Sequence, residues 1–331
     1  MKAKLIGVMF LFLAIVLVTT ACQSNNEKND TVRLAEVTRS IFYAPMYVAM
    51  EEGFFEEEGI DIDLITTWGG DKTMTTLLSD GSDIALVGAE TSIYVNAQQP
   101  NDSIINFAML TQTDGTFLMA RNEASFDWDD LRGSTFLGQR KGGMPQMVGE
   151  YVLKQHDIDP HIDLDLIQNI DFANIANAYA SGTGEYVQLF EPQATMFEEE
   201  GLGHIVASFG EESGTIPYTV FMAKESYLEK HNDLIERFTR AIYKSQQWIY
   251  EEDPNTIAKS LSPFFEDTST DIIASAAERY RNQQSYATDP LFTKEAWDNL
   301  QDIMEEAGEL PKRLDYDRYV DNTWANQVVN E

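Results

Sequence analysis

Residues 77–91, LLSDGSDIALVGAET, predict one unit of an α/β fold. The stretch contains the end of a helix, the turn residue Gly81, an acidic residue, an apolar strand, and Glu90 at the start of the next helix. Residues 179–193, YASGTGEYVQLFEPQ, repeat this order and have Glu191 where the first stretch has Glu90. Either two common α/β units coincide or the two halves of the chain are related, and both readings predict two similar lobes.

The rest of the chain continues the alternation of strand and helix patterns. From residue 32 onward, short β-rich runs alternate with helical runs, and residues 103–120 are predicted as one longer strand region. After residue 227 the pattern is helical, with Leu234, Phe238 and Ile242 on one apolar stripe. We therefore predict an α/β fold whose strands present their carboxyl ends at one edge of a sheet, where ligands bind.

The order of the elements divides the chain into two lobes. Residues 32–116 and 219–331 are assigned to lobe I, and residues 117–218 to lobe II. The chain is predicted to cross between the lobes near residues 114–118 and again near residues 213–219. Two strands that link two lobes in this way can act as a hinge.

The first residues have the pattern of an export signal followed by a lipid-attachment site. Two lysines precede an apolar run at residues 5–18, which is shorter than the ~20 residues needed to span a bilayer. Small residues then lead to Cys22, the only cysteine in the sequence, in an arrangement that resembles a bacterial lipobox. We predict a signal peptide at residues 1–21, lipidation of Cys22, and a flexible tether at residues 22–31. The alternative is a secretory signal with an incidental cysteine.

Charge and residue content exclude several classes of function. Asp and Glu outnumber Lys and Arg by 55 to 23, and the formal net charge of -32 would repel nucleic acid. The sequence has no cysteine cluster and no GxSxG, HExxH or nucleotide-binding loop. We therefore expect no metal, no cofactor and no catalysis. The histidines also lack metal-ligand spacing: His156, His161, His204 and His231.

Several segments together resemble one family of transport proteins. They are SIFYAPMYVAMEEGFFEEEGIDIDL (40–64), LLSDGSDIALVGAETS (77–92), QRKGG (139–143), FANIANAYASG (172–182) and YVQLFEP (186–192). They resemble the solute-binding proteins of ATP-driven importers, in the SsuA/ThiY-like branch with alkanesulfonate-, nitrate- and thiamine-pyrimidine-precursor-binding members. The resemblance covers nearly all of the mature chain.

This resemblance implies a fold, a role and a location. Such proteins have the type II periplasmic-binding-protein fold, in which two α/β lobes joined by a two-strand hinge close on a solute. The chain would then deliver a small solute to an ABC permease and its ATPase. We expect an extracytoplasmic monomer, anchored through Cys22 to the outer face of the cell membrane.

Two other classes of function stay open at this point. One is a lipid-anchored sensor that closes on a solute and signals to a receptor. The other is an enzyme, because fungal thiamine-pyrimidine synthases resemble this family in fold. Such an enzyme would need a reactive lysine, a sacrificial histidine and a cysteine-rich loop, and the chain after Cys22 contains no cysteine.

Candidate ligand contacts follow from the rule that solutes meet the carboxyl ends of strands and the amino ends of helices. In lobe I, aromatic rings could stack on a solute, glycines allow close approach, and one helix start offers N–H groups beside a carboxylate. Asp71 could instead cap its helix, and Tyr43 could fill the core. The lobe I candidates are Ser40, Tyr43, Trp68, Gly69, Asp71, Glu90 and Thr91.

In lobe II the candidates lie at a turn with two cations and at two helix starts. Arg140 and Lys141 in that turn could bind an anion. Asp171 and Glu191 would repel an anion but could pair with an amino-substituted heterocycle, although Asp171 could equally be a helix cap. The lobe II candidates are Gln139, Arg140, Gly142, Asp171, Asn174 and Glu191.

The combination of rings and carboxylates favours a planar, nitrogen-containing solute. A sulfonate or nitrate pocket needs several donors and no unpaired carboxylate, because an unpaired buried charge costs several kcal/mol. Tyr43 and Trp68 beside Glu90 suit a thiamine pyrimidine precursor or a flavin-like ring better. The alternative is a binding protein for a sulfonate- or nitrate-type anion held by Arg140 and Lys141.

Overall fold

The computed structural model describes residues 29–122 and 125–331. The predicted signal peptide, Cys22 and most of the predicted tether therefore lie outside the described residues. Asp30 and Thr31, which were assigned to the tether, belong to the first strand of a sheet. Within the two described ranges, none of the helices is long and apolar enough to cross a membrane.

The first sheet is a mainly parallel sheet of five strands. They are β1 (Asp30–Glu36), β2 (Ile60–Thr66), β3 (Ile84–Gly88), β4 (Ile104–Thr111) and β10 (Thr219–Lys224). Their order is β2-β1-β3-β10-β4, and β10 alone runs antiparallel to its neighbours. Strands β1 to β4 therefore direct their carboxyl ends to one edge, as the sequence predicts.

The second sheet also has five strands. They are β5 (Thr116–Ala120), β6 (Thr135–Leu137), β7 (Asp165–Ile167), β8 (Tyr186–Phe190) and β9 (His204–Ser208). Their order is β7-β6-β8-β5-β9, with β6 parallel to β7 and β8, and with β5 antiparallel to β8 and β9.

The two sheets have the same topology. In each, the strand that arrives from the other lobe, β10 or β5, is inserted antiparallel as the fourth in order. Strands β3 and β8 occupy equivalent central positions, and they belong to the two similar stretches at residues 77–91 and 179–193. The shared sequence pattern thus marks equivalent units, and the predicted α/β fold with two lobes is confirmed.

Helices cover both sheets, and most of the C-terminal ones pack on the first. In the first sheet's lobe they are α1 (Ala44–Glu51), α2 (Phe54–Glu57), α3 (Gly70–Leu78) and α4 (Glu90–Asn96). The second sheet carries α5 (Met144–Gln155), α6 (Ile175–Ala180), α7 (Gln193–Glu199) and α8 (Phe209–Ser213). The C-terminal helices are α9 (Glu225–Lys230), α10 (Asn232–Glu251), α11 (Pro254–Leu261), α12 (Thr270–Asn282), α13 (Lys294–Glu306), α14 (Tyr316–Tyr319) and α15 (Thr323–Val329).

The apolar stripe predicted in the C-terminal part belongs to the core. Leu234, Phe238 and Ile242 are buried on one face of α10, which packs against α1 and α15. Helix α13 begins after Thr293, whose side-chain oxygen accepts a hydrogen bond from the N–H of Ala296 at 3.2 Å. This cap stabilises the start of the helix.

The region at residues 103–120 forms two strands in different sheets, so the prediction of one longer strand region is wrong. Strand β4 ends at Thr111 and β5 begins at Thr116. Between them, the carboxylate of Asp114 accepts a hydrogen bond from the N–H of Thr116 at 2.6 Å. This local bond turns the chain out of the first sheet and into the second.

The second crossing, from α8 to β10, runs beside the first. The N–H of Ile216 donates to the carbonyl of Gln112 at 2.9 Å, and the N–H of Tyr218 donates to the carbonyl of Thr111 at 3.1 Å. A third segment lies alongside, because the N–H of Gln112 donates to the carbonyl of Ser285 at 2.8 Å. The lobe boundaries given above stay a prediction.

Candidate functional site

A cavity of about 260 Å³ lies between the two sheets. Its lobe I wall comes from the segments that follow β1 and β3, and its lobe II wall comes from residues 139–145, which follow β6. The carboxyl ends of parallel strands thus form the cavity, in agreement with the general rule for open α/β sheets. Tyr218, in the second crossing, closes the cavity at the hinge.

Glu90 contributes a buried carboxyl group to this cavity. Its side chain is buried at the start of α4, and among the described residues its Oε2 atom has no hydrogen-bond partner. Burial raises the pKa of Glu90 to about 8, although the backbone N–H groups of Glu90, Met144 and Thr91 act in the opposite direction. Glu90 is therefore mostly protonated at neutral pH and can donate or accept a hydrogen bond.

The position of this carboxyl group requires a glycine beside it. A Cβ atom at Gly88 would lie 2.0 Å from Oε2 of Glu90, so any side chain there would displace the carboxyl group. Gly88 is the last residue of β3, and Glu90 opens the helix that follows. The spacing in the sequence VGAE thus sets the direction of the carboxyl group.

Aromatic rings from both lobes form part of the remaining wall. Tyr43 lines the cavity from lobe I, and Phe172 and Phe190 line it from lobe II, with 5.8 Å between the centroids of the two phenylalanine rings. Tyr218 lies 6.5 Å from Phe190 in an edge-on arrangement. A flat, partly apolar solute fits between such rings.

The hydroxyl oxygen of Tyr218 is another buried polar atom of the cavity that has no partner among the described residues. Among the described residues, neither its hydroxyl oxygen nor Oδ2 of Asp114 makes a hydrogen bond. Burial, together with the nearby carboxyl groups of Asp114 and Glu90, raises the pKa of Tyr218. Burial also raises the pKa of Asp114 to about 6. The Tyr218 hydroxyl in the cavity wall therefore keeps its proton at neutral pH and can donate a hydrogen bond.

The cations of the predicted anion site are paired with carboxylates. Arg140 lies 3.1 Å from Asp71 of lobe I and 3.7 Å from Asp171 of lobe II. Lys141 lies 3.5 Å from Glu309. These pairs, together with the hydrogen bond from the Tyr94 hydroxyl to the carbonyl of Gly142 at 3.2 Å, connect the lobes at the rim of the cleft.

Most of the predicted contacts line this cavity. Asp71 is one of them. It is not the cap of α3, because the N-cap residue is Gly69 and Asp71 lies in the first turn of the helix. The side chain of Gln139 donates to the carbonyl of Gln188 at 2.6 Å, and the hydroxyl of Thr91 donates to the carbonyl of Gly88 at 2.8 Å. The predicted residues in the lining are Ser40, Tyr43, Gly69, Asp71, Glu90, Thr91, Gln139, Arg140 and Gly142.

Four predicted residues lie outside the lining of this cavity. Trp68 is 53% exposed and lines a neighbouring cavity together with Glu191. Glu191 is buried, and its carboxylate lies 2.7 Å from Arg279 and accepts from the Thr195 N–H at 2.9 Å. Asp171 makes an exposed ion pair with Arg140, and Asn174 lines neither cavity.

Four aromatic residues of the cavity were not among the predicted contacts: Tyr94, Phe172, Phe190 and Tyr218. Phe190 immediately precedes Glu191, and Phe172 immediately follows Asp171, so both lie beside positions that the sequence did indicate. Tyr218 lies in the second crossing, close to where the sequence predicts it. Its position in the predicted crossing, next to the start of β10, is the signal that would have identified Tyr218.

Two five-stranded α/β sheets, joined by crossings and separated by a cavity at their strand ends, define the class of two-lobed periplasmic binding proteins. Within this class, the chain belongs to the NMT1/THI5-like family, whose model matches residues 41–256. The protein YtlA of Bacillus subtilis (strain 168), which is named as a binding protein, is 61% identical over 98% of this chain and 96% of its own length.

More distant relatives share part of the sequence or only the fold. The formylaminopyrimidine-binding protein of Halalkalibacterium halodurans is 25% identical over 75% of this chain and 76% of its own length. The periplasmic nitrate-binding protein NrtA from Synechocystis PCC 6803 has a TM-score of 0.71 and 16% identity. That structural match covers 92% of this chain and 89% of NrtA.

Proposed function

We propose that this chain is an extracytoplasmic solute-binding protein that delivers a small molecule to an ABC importer. Membership in the NMT1/THI5-like family, the 61% identity to a protein named as a binding protein, and the cavity between two lobes support this role. The chain acts as a monomer held at the membrane by a lipid on Cys22, and it binds without catalysing a reaction.

The solute is a small, planar, nitrogen-containing ring of the aminopyrimidine type, such as a thiamine pyrimidine precursor. The observation that carries this proposal is the buried carboxyl group of Glu90, whose Oε2 atom is unpartnered among the described residues. This atom can accept an N–H from an exocyclic amino group or, when protonated, donate to a ring nitrogen. Leaving it unsatisfied in the bound state would cost about 1–3 kcal/mol, so the solute should supply the partner.

The size of the cavity and the nearby rings support the same class of solute. A volume of about 260 Å³ suits a single substituted ring better than a three-ring flavin. Tyr43 and Phe190 offer faces or edges for aromatic contacts, worth about 0.5–1.5 kcal/mol each beyond area burial. The likeness to a formylaminopyrimidine-binding protein points in the same direction.

An anion of the sulfonate or nitrate type is the second candidate, since Arg140 and Lys141 line the cavity. Both cations, however, already lie beside carboxylates, Arg140 beside Asp71 and Lys141 beside Glu309. The fold shared with a nitrate-binding protein does not discriminate between ligands. The cavity therefore favours the aminopyrimidine.

A pyrimidine-synthase-like enzyme is less well supported. His156 stacks on Trp128 at 4.1 Å between ring centroids, and His161 lies 3.2 Å from Glu150. Neither histidine lines the cavity, and the lysine that does, Lys141, is paired with Glu309. The described part of the chain thus offers no histidine next to a free amine in the cleft.

A thermal-shift screen of the form that begins at Gln23 tests the proposal. The ligands are 4-amino-5-hydroxymethyl-2-methylpyrimidine, its formylaminomethyl analogue, riboflavin, taurine, an alkanesulfonate and nitrate. A ligand at 100 times its dissociation constant stabilises the fold by about 2.7 kcal/mol, which is readily seen. A shift with the pyrimidines that disappears in Glu90→Leu would support the proposal. A shift with the anions alone would replace it with the second candidate.

A further inference from the structure

A second cavity, of about 340 Å³, adjoins the first along the cleft. Thr38, Ser40 and Phe190 are among the residues that line both cavities. The lobes meet near this shared wall, where the Ser40 hydroxyl donates to the carbonyl of Glu191 at 3.3 Å. A solute in the first cavity could therefore extend into the second without leaving the cleft.

Trp68 lines the second cavity in a conformation that packing does not explain. Its backbone φ is 61°, in the left-handed region that non-glycine residues rarely adopt, and its side chain is 53% exposed. Among the described residues, its indole N–H makes no hydrogen bond and its ring makes no aromatic contact. Non-glycine residues held in this backbone region occur preferentially at ligand-binding and active sites.

The charged groups of this cavity leave an excess of negative charge. The cation Arg39 lies 3.3 Å from the buried Glu36, and Glu191 lies 2.7 Å from Arg279. Glu266 and Asp267 also line the cavity, are exposed, and pair with no cation in the part of the chain that the structure describes. An exposed indole beside unpaired carboxylates suits a positively charged, flat group.

We infer that the second cavity binds a cationic ring that belongs to the same solute as the ring beside Glu90. The preferred solute would then be an aminopyrimidine joined by a short link to a positively charged heterocycle, with the second ring against Trp68. This inference rests on the proposed function, because it needs the first ring to occupy the first cavity. The second cavity would then be a second binding site, and the protein would bind two-ring solutes more tightly than one-ring solutes.

Isothermal titration calorimetry with two probes tests this inference on the form that begins at Gln23. Thiamine has an aminopyrimidine linked to a cationic thiazolium, and 4-amino-5-hydroxymethyl-2-methylpyrimidine has the first ring alone. Thiamine should bind at least about tenfold more tightly than the single ring. Trp68→Ala should remove most of this difference and change the affinity for the single ring by less than about twofold. Trp68→Phe, which keeps an aromatic face, should retain much of it.

Matched variants separate the cavity from general surface effects. Ile162→Ala also removes an exposed apolar side chain, 80% exposed, but lies in neither cavity, so it should leave both affinities unchanged. The double variant Glu266→Gln with Asp267→Asn should weaken thiamine binding by about threefold or more and leave the single ring unaffected. Glu56→Gln is the charge control, because Glu56 is exposed and lines neither cavity.

The outcomes distinguish this inference from the proposed function. If the single ring binds but thiamine binds no more tightly, or if Trp68→Ala weakens both probes equally, the second site is wrong and the first remains. If neither probe binds and an anion does, the proposed function fails, and this inference fails with it. A change in tryptophan fluorescence with thiamine that is absent in Trp68→Phe would be independent support.

Discussion

Two glutamates at equivalent places in the two lobes have different environments. Glu90 follows β3 and Glu191 follows β8, as the similar sequence stretches predict. Glu191 is held by Arg279, a residue 88 positions away in the sequence, whereas no cation among the described residues pairs with Glu90. The sequence therefore predicts both positions but not which carboxyl group stays available to a solute, since that depends on how α12 packs against lobe II.

Two substitutions of Glu90 should distinguish the effect of its titratable proton on affinity from the effect of its hydrogen-bonding groups. Glu90→Gln keeps one donor and one acceptor, so we expect an aminopyrimidine to lose less than about tenfold in affinity. Glu90→Leu removes the polar group and should cost about 10- to 100-fold, because a polar group of the solute that is buried without a partner costs about 1–3 kcal/mol. Calorimetric titration at neutral pH measures both. Equal affinities for wild type and Glu90→Leu would remove Glu90 from the binding site.

The raised pKa of Glu90 also predicts how stability depends on pH. The pKa is about 8 in the folded protein against 4.5 for an unperturbed glutamate, so between these values the folded state binds more protons than the unfolded state. Stability from this group is therefore fully present below about pH 4.5 and is lost as pH rises through about 8. Asp114, with a pKa raised from 3.8 to about 6, contributes in the same direction.

We expect the Tm of the wild type to fall relative to that of Glu90→Gln as pH increases from 5 to 8. The free energy of unfolding should change by ~1.4 kcal/mol for each unit by which folding raises the pKa of Glu90. The pH dependence that remains in Glu90→Gln reflects Asp114 and other groups. Thermal melts at half-unit pH steps measure it in the absence of ligand. Parallel curves for the two proteins would mean that the pKa of Glu90 is not raised by folding.

At the scale of elements, the sequence predicts the units well and their arrangement in part. The strand patterns near β1 to β4 are correct because apolar residues recur in short runs, as in β3, which ends at Gly88, or at alternate positions, as in β2. The sequence predicts a crossing near residues 114–118 but treats residues 103–120 as one strand region, because both strands are fully buried and the turn between them depends on a single carboxylate, that of Asp114. The insertion of β5 and β10 into opposite sheets needs long-range pairing that no local pattern encodes.

The ion pair between Arg140 and Asp71 should stabilise the closed arrangement of the two lobes more than it stabilises the folded state of either lobe. Arg140 follows β6 in lobe II and Asp71 lies on α3 in lobe I, and both side chains are about half exposed. Exposed pairs contribute about 0.2–1 kcal/mol, so Arg140→Ala should weaken aminopyrimidine binding by about two- to fivefold and barely change the Tm. Calorimetry and a thermal melt measure the two effects.

A matched variant within one lobe provides the control for this pair. Arg132 lies 2.9 Å from Asp129 and 2.6 Å from Asp163, all in the second sheet's lobe, so Arg132→Ala should leave affinity unchanged. If Arg140→Ala instead abolished binding of a sulfonate or nitrate, Arg140 would be an anion ligand and the aminopyrimidine proposal would be wrong.

The whole molecule explains why binding should involve both lobes. The cavity takes Glu90 from lobe I, Phe172 and Phe190 from lobe II, and Tyr218 from a crossing between them. A single contact offers at most a few kcal/mol, whereas micromolar binding needs about 8 kcal/mol. A solute that touches both lobes and the crossing therefore binds the closed arrangement preferentially and shifts the population toward it.

Attachment to the membrane is the remaining property of the whole molecule, and it depends on a residue outside the described part of the chain. A protein with a formal net charge of -32 is repelled by anionic headgroups, so its own surface would not hold it at the membrane. A diacylglyceryl group on Cys22 would provide the ~0.8 kcal/mol per buried CH₂ that the surface does not. The attached lipid is thus the expected means of retention.

Metabolic labelling with radioactive palmitate in a bacterial host tests this expectation directly. The full chain should incorporate label and partition into detergent, whereas Cys22→Ala should incorporate none. Ser24→Ala, in the predicted tether, is the control and should be labelled like the wild type. Fractionation alone would mislead, because an uncleaved signal peptide could also keep Cys22→Ala at the membrane. Label that persists in Cys22→Ala, or is absent from the wild type, would show that Cys22 is an incidental cysteine behind a secretory signal.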